Sequence, residues 1–116
     1  MTAQQINFVK NSLQAAVSAG SSFNMNPTVI LAQAAFESGW GMSKLATGSN
    51  NYFGLTAYGC SNQYWHGGKT TVNTGSYSLD FRRYDTLENS FLDFARLIRN
   101  NYRTAWQASN NPEAYA

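Results

Sequence analysis

Glu37 is the residue of this chain best suited to acid–base chemistry. The 116 residues include six Asp and Glu side chains, and Glu37 is the only one of them before Asp80. Glu37 lies at the C-terminal end of a predicted apolar helix, where the backbone carbonyls carry partial negative charge. Phe36 and Trp40 flank Glu37. Each of these neighbours disfavours the ionised carboxylate. A carboxylic acid that keeps its proton near neutrality can donate it to the leaving oxygen of a glycosidic bond.

The alternative interpretation of Glu37 is a surface glutamate that forms an ion pair with Lys44. Helical spacing alone does not decide between the two, although Glu37 shares a helix face with Ile30 and Ala34. The isolation of Glu37 in a region poor in acidic residues favours a role in chemistry.

Aromatic residues are a second signal, because their rings stack on the C–H faces of sugars while amides hydrogen-bond sugar hydroxyls. Aromatic residues make up 15% of the chain, and most follow Glu37. Aromatic side chains usually belong to the core. The rings in the glycine-rich stretch 52–65 are harder to bury, so we expect some of them to line a groove instead. The phenylalanines expected in the core are Phe53, Phe81, Phe91 and Phe94.

The composition restricts the class of protein. Charged residues are 12% of the chain, against about 25% in an average domain, and hydrophobic residues are 43%, which predicts a globular fold with a neutral polar surface. A net charge of +2 is too small for a typical nucleic-acid binder. One cysteine and one histidine cannot build a disulfide or the usual Cys/His metal site, so no metal or cofactor is expected.

No segment of the sequence predicts a membrane span. Residues 1–20 do not resemble a secretory signal. We expect the protein to be a monomer.

Hydrophobic periodicity and capping residues predict the helices of an α+β, mainly α, single domain over residues 1–116. The first runs from Ala3 to Ala19 and ends at Gly20. It is expected to bury Ile6, Val9, Leu13, Ala16 and Val17. Asn26 and Pro27 begin a second helix that continues to Ser38, where Gly39 and Gly41 break it.

The second half of the chain predicts a hairpin and a third helix. Residues 48–68 are expected as loop, followed by strands over 70–74 and 77–82 around the Gly75-Ser76 turn. Asp85 or Thr86 caps a helix that ends at 100–101, a short helix covers 102–109, and Asn111-Pro112 begins another. The apolar stripe of the third helix comprises Leu87, Phe91, Phe94, Ala95 and Ile98.

Three motifs resemble the bacterial glucosaminidase domains of glycoside hydrolase family 73, which include flagellar and autolysin-type peptidoglycan hydrolases. Residues 32–41 read AQAAFESGWG and residues 50–55 read NNYFGL, similar to "AQAALESGWG … NNLFG". Residues 81–91 read FRRYDTLENSF, similar to "FRxYDSxxESF". The resemblance covers about residues 5–110.

The resemblance implies a lysozyme-like helical fold with a small β-hairpin lobe across a groove. It implies an endo-β-N-acetylglucosaminidase that cleaves the β-1,4 bond after N-acetylglucosamine in peptidoglycan glycan strands, at the bacterial cell wall in the periplasm or outside the cell. Glu37 matches the catalytic acid of the family. The residues expected to bind substrate are Trp40, Asn51, Tyr52, Trp65, Tyr77, Tyr84 and Tyr102.

Two departures from the family pattern concern the second catalytic group and the C-terminus. Many members carry a second glutamate on the hairpin, in a "T-x-E-Y" setting, where this chain has Val72. Asp80 is the nearest available carboxylate, although it is also explained as an exposed acid that pairs with Arg82 or Arg83. Members commonly continue to a "GYATDPNY" segment, whereas this sequence stops at Ala116, so we expect a minimal or truncated domain.

Two other functions fit the same residues. A lytic transglycosylase also depends on one glutamate at a helix end, followed by serine, and forms an anhydro-sugar without water. A cell-wall-binding module that has lost catalysis would keep the aromatic groove. Without a second carboxylate, hydrolysis would proceed with Glu37 as the single acid and with the N-acetyl oxygen of the substrate or a water molecule as the nucleophile.

Overall fold

The computed structural model describes residues 1–101. The helix predicted over 102–109, the helix start predicted at Asn111-Pro112 and the candidate site residue Tyr102 lie outside the described residues. The elements are α1 Ala3–Phe23, α2 Pro27–Ser38, α3 Lys44–Ser49, β1 Lys69–Asn73, β2 Ser78–Arg82 and α4 Leu87–Asn101. α1 packs against both α2 and α4, and β1 pairs with β2 in an antiparallel sheet, which confirms the mainly helical fold with a small hairpin lobe.

α1 is longer than its sequence pattern predicts and buries a different face. It begins at a capping box between Thr2 and Gln5 and runs through Gly20 to Phe23. Gly20 does not end the helix; it allows a close approach, because a Cβ there would lie 2.6 Å from the Met25 carbonyl oxygen. The residues of the buried face are Phe8, Ser12, Ala15, Ala16 and Ala19. Of the predicted stripe, Ile6, Leu13 and Val17 are exposed.

α2 has the predicted bounds for the predicted reasons. The Asn26 Oδ1 accepts hydrogen bonds from the backbone N–H groups of Thr28 and Val29, at 2.8 and 3.3 Å, and proline occupies the first helical position. Gly39 caps the C-terminus in the left-handed conformation, with φ of 56°. Ile30 and Ala34 are fully buried, so the helix is fixed along its inner face.

The hairpin agrees with its prediction to within one residue. Val72 pairs with Leu79 and Thr71 with Asp80, and the Thr74 N–H donates to the Tyr77 carbonyl across the turn.

α3 was not predicted, although Ser43 caps it by accepting from the Ala46 N–H at 3.1 Å. One helical turn carries too little periodicity to distinguish it from a loop.

The core lies between α1, α2 and α4 and includes most of the predicted phenylalanines. Phe53 stacks on Phe94, with ring centroids 4.0 Å apart, and meets Phe91 edge-on at 5.0 Å. Phe81 is half-buried on the hairpin instead.

Thr86 caps α4 by accepting from the Asn89 N–H, one of the two predicted caps. Among residues 1–101, no helix is long and apolar enough to cross a membrane.

Candidate active site

Glu37 lies in the last turn of α2 with an exposed side chain. Its Oε1 accepts a hydrogen bond from Gln33 Nε2, one turn earlier on the helix, at 3.1 Å. The ion pair with Lys44, the alternative interpretation, does not form among the described residues. Glu37 has the helical spacing of Ile30 and Ala34, which are fully buried, but its own side chain is exposed, and its neighbour Phe36 is 82% exposed. The carboxylate is therefore held by the helix backbone and one amide while it remains accessible to a large substrate.

The backbone after Glu37 turns sharply away from α2. Gly39, Trp40 and Gly41 have φ values of 56°, 57° and 79°, a left-handed run that is uncommon for a bulky residue such as Trp40. Ser38 stabilises this turn, because its Oγ donates to the Ala34 carbonyl at 2.5 Å and accepts from the Gly41 N–H at 2.8 Å. The Ser-Gly-Trp-Gly segment therefore fixes the chain immediately after the acid.

A cleft of about 620 Å³ separates the start of α3 from the hairpin. Lys44 and Leu45 line one side, and Val72 and Phe81 line the other. The rim of the cleft is tied to the end of α2, because the Ser43 N–H donates to the Ser38 carbonyl at 3.0 Å. Val72, expected at the position of a second glutamate, thus lines the cleft with an aliphatic side chain.

Asp80 lies on the other face of the hairpin. It is exposed and pairs across the strands with Thr71, whose Oγ1 donates to its Oδ1 at 2.6 Å. Because side chains alternate between the faces of a strand, Asp80 and Val72 point in opposite directions. The predicted pairing with Arg82 or Arg83 is also wrong: the Arg83 guanidinium donates to the Lys69 carbonyl. Asp80 itself does not line the cleft, and its carboxylate is occupied by Thr71, which does.

Three of the expected substrate-binding residues are buried and cannot contact a polymer. Asn51, Trp65 and Tyr84 are 1%, 2% and 3% exposed. Asn51 holds the loop after α3, since its amide donates to the carbonyls of Leu55 and Arg82 and its Oδ1 accepts from the Phe53 and Leu55 N–H groups. These three residues support the site from within the fold.

Asp93 joins the hairpin to α4 and was not predicted as a site residue. It is fully buried, and its Oδ2 accepts from the Arg82 guanidinium at 2.6 Å and from the Tyr84 hydroxyl at 2.5 Å. Arg82 also stacks over the Trp65 ring, at 4.2 Å from the centroid. Burial and then the hydrogen bond to Asp93 raise the pKa of Tyr84 well above its ordinary value. The only sequence signal for this cluster is a carboxylate between the apolar positions Phe91 and Phe94.

The remaining expected substrate-binding residues are accessible. Trp40 is half-buried and meets Phe8 edge-on at 5.8 Å. Tyr52 is half-buried between Phe8 and Phe91, and its pKa is raised by burial and by the charge of Glu88. Tyr77 is 61% exposed at the hairpin turn. The structure therefore places Trp40 close along the chain to Glu37 and Tyr77 on the hairpin lobe.

The described residues do not bring together a metal-ligand set. Among residues 1–101, no three His, Cys, Asp or Glu side chains are grouped so as to hold an ion. The histidine His66 instead contacts Asp85 through Nδ1, at 2.6 Å on the surface.

A mainly helical domain with a small hairpin lobe and a glutamate at the end of a helix is the architecture of lysozyme-like glycoside hydrolases. The fold is similar to the glycoside hydrolase domain of Salmonella typhimurium FlgJ, with a TM-score of 0.76, 27% identity, and coverage of 96% of this chain and 71% of that one. It is also similar to the catalytic domain of the Listeria monocytogenes autolysin Auto, with a TM-score of 0.75, 26% identity, and coverage of 99% and 72%.

The sequence comparisons identify the family. Residues 13–116 match the glucosaminidase family model, described as mannosyl-glycoprotein endo-beta-N-acetylglucosaminidase. The peptidoglycan hydrolase FlgJ of Vibrio parahaemolyticus is 31% identical over 121 aligned positions, which cover 93% of this chain and 38% of that protein. The chain belongs to the glucosaminidase family of glycoside hydrolases, and it spans less than half the length of this relative.

Proposed function

We propose that the protein hydrolyses peptidoglycan, cleaving the β-1,4 bond after N-acetylglucosamine, with Glu37 as the general acid. The observation that carries this proposal is the exposed Glu37 carboxylate at the rigid end of α2, within the AQAAFESGWG segment. The Vibrio relative is named a peptidoglycan hydrolase, and the cleft beside Ser43 is open to a polymer. The place of action is then the cell wall, in the periplasm or outside the cell.

Proton donation by Glu37 starts the reaction. Its carboxyl proton passes to the glycosidic oxygen as the bond from that oxygen to the anomeric carbon breaks, and positive charge develops on the sugar. Among residues 1–101, the cleft face of the hairpin carries no carboxylate to stabilise this charge or to activate water. The oxygen of the substrate's own acetamido group closes onto the anomeric carbon, water then opens that ring, and a proton returns to Glu37.

Accessible aromatic residues bind the glycan in this scheme. Trp40, Tyr52 and Tyr77 offer ring faces or edges to sugar units, whereas buried Asn51 holds the loop that carries Tyr52. Phe36 is a further exposed ring, one residue before Glu37. We expect the domain to act as a monomer on a single glycan strand.

A lytic transglycosylase is the second candidate, favoured by the observation that the cleft-facing position of the hairpin is Val72. That reaction also needs only one glutamate, because a hydroxyl of the substrate replaces water as the nucleophile. A cell-wall-binding module without catalysis would likewise tolerate Val72.

The products of digestion distinguish these functions. Purified peptidoglycan is incubated with the protein, and the released fragments are identified by mass spectrometry. We expect fragments with reducing N-acetylglucosamine ends. Anhydro-muramic acid ends would establish the transglycosylase instead, and sedimentation of the protein with sacculi without any released fragments would establish the binding module.

A further inference from the structure

A small pocket lies between the first half of α1 and the loop that follows Glu37. Its volume is about 140 Å³, and its lining includes Asn7, Asn11 and Ser12 from α1, together with Trp40, Met42 and Tyr52. It is separate from the larger cleft, with which it shares no lining residue. Trp40 comes three residues after Glu37, so the pocket lies at the same end of α2 as the proposed acid.

Ser12 leaves a hydrogen-bonding group unpaired in this pocket. Its side chain is fully buried, and within residues 1–101 its Oγ has no hydrogen-bond partner. Buried hydroxyls are nearly always paired, because an unpaired one loses its bonds to water without replacement. Among the described residues, the Ser12 hydroxyl is the one buried side-chain polar group without a hydrogen-bond partner. Because Ser12 lines the pocket, a rotation of its side chain would bring the hydroxyl to a polar atom bound there.

The other lining residues define the kind of group that fits. Asn7 and Asn11 are exposed amides that donate to a carbonyl and accept from an N–H, while Trp40, Met42 and Tyr52 offer apolar surface. No charged residue lines the pocket, which disfavours an ion as its occupant. The volume is several times the roughly 30 Å³ share of a liquid water molecule, so it suits one small substituent rather than a whole sugar ring.

We propose that this pocket is an auxiliary subsite for the acetamido group of a 2-acetamido sugar. The methyl group packs against Met42 and the rings, and the carbonyl and N–H pair with the Asn7 and Asn11 amides and the Ser12 hydroxyl. The inference rests on the proposed function, since peptidoglycan carries an acetamido group on each sugar unit. It adds a second point of contact with the glycan, on α1, beyond the cleft.

Binding of N-acetylglucosamine to the Glu37→Gln protein, followed by NMR chemical shifts, tests the subsite without hydrolysis. We expect shifts at the Trp40 indole N–H and at the Asn11 side-chain amide, and none with glucosamine, which lacks the acetyl group. Asn7→Ala combined with Asn11→Ala should weaken binding about tenfold, as for the loss of one or two hydrogen bonds. Gln14→Ala is the matched control, an exposed amide on the same helix outside the pocket, and should leave binding unchanged.

The opposite results overturn the subsite. Equal shifts with glucosamine, shifts confined to the cleft, or binding that the double alanine variant leaves intact would each contradict it. The two proposals fail separately. If the wild type releases fragments but N-acetylglucosamine does not perturb Trp40, the subsite is wrong and the hydrolase stands. If the sugar perturbs Trp40 but no fragments appear, the hydrolase is wrong and the subsite stands.

Discussion

The end of α2 and the β1–β2 hairpin differ in rigidity and in the chemistry that each presents. α2 is capped at both ends and fully buries Ile30 and Ala34, so it holds Glu37 on a fixed backbone. The hairpin has two strands of five residues and presents Val72 to the cleft, whereas Asp80 does not line it. The difference supports the proposal that α2 supplies the reacting carboxylate, while the hairpin supplies shape and sugar contacts.

The hairpin gains its fixed position from a buried anchor rather than from its own strands. Arg82, at the end of β2, reaches Asp93 in α4, and Tyr84 donates to the same carboxylate. A two-stranded hairpin is only marginally stable alone, so this cluster fixes the end of β2 against α4. Changes at Glu37 should therefore alter chemistry and leave folding intact, whereas changes at Asp93 should alter folding first.

Glu37→Gln should have the largest effect on turnover. The substitution keeps the size of the side chain and removes its transferable proton, and general acid catalysis typically contributes about 10²- to 10⁴-fold. We expect the rate of muropeptide release to fall by at least about 100-fold. Because Glu37 is exposed, the free energy of unfolding in urea should change by less than about 0.5 kcal/mol. A folded variant with near wild-type turnover would remove Glu37 from the mechanism.

Asp93→Asn should have the largest effect on stability. It leaves the Arg82 guanidinium buried without its countercharge, and breaking a buried ion pair costs about 3–5 kcal/mol. Unfolding in urea, followed by circular dichroism, measures the loss. Asp85→Asn is the matched control, because Asp85 is exposed beside His66 and should contribute less than about 1 kcal/mol. Equal effects of the two substitutions would show that Asp93 does not anchor the hairpin.

Tyr84→Phe should change the response of stability to alkaline pH. The raised pKa of Tyr84 in the folded protein means that the unfolded chain loses this proton first, near pH 10. The stabilisation is therefore complete below pH 10 and decreases as the pH rises above it. Between pH 9 and 11, the wild type should lose about 1 kcal/mol more unfolding free energy than Tyr84→Phe. Parallel decreases for both proteins would contradict the contribution of this buried hydroxyl.

Asp80→Asn should have the smallest effect. The Asp80 carboxylate accepts from Thr71 and does not itself line the cleft, so its charge has no part in the proposed reaction. We expect muropeptide release within about twofold of wild type, a change too small to indicate general acid or base catalysis. Inactive but folded Asp80→Asn protein would return the second carboxylate to the hairpin.

The elements with strong local signals were predictable from the sequence. Asn26-Pro27 and Gly39 fix both ends of α2 through caps that act within a few residues, and Gly75-Ser76 marks the hairpin turn. The buried face of α1 was only partly predictable: Phe8 is buried, but Ile6, Leu13 and Val17 are exposed. Its small residues, such as Ala15 and Ala19, face the neighbouring helices, because close packing selects size as well as hydrophobicity.

The candidate site was predictable at Glu37 and only partly around it. A motif does not distinguish residues that contact substrate from residues that hold a loop. Asn51, Trp65 and Tyr84 were therefore expected to bind substrate, although they are buried. The role of Asp93 depends on its contacts with Arg82, at the end of β2, and with Tyr84. Such contacts arise from tertiary packing and leave no local pattern.

The ratio of turnover between Asp80→Asn and Glu37→Gln tests the asymmetry of the two regions most directly. Both proteins digest the same peptidoglycan preparation side by side, and the released muropeptides are quantified by mass spectrometry. Catalysis by the α2 carboxylate alone predicts a ratio of at least about 50, given the effects expected for each substitution. A ratio near one, with both proteins folded, would contradict it.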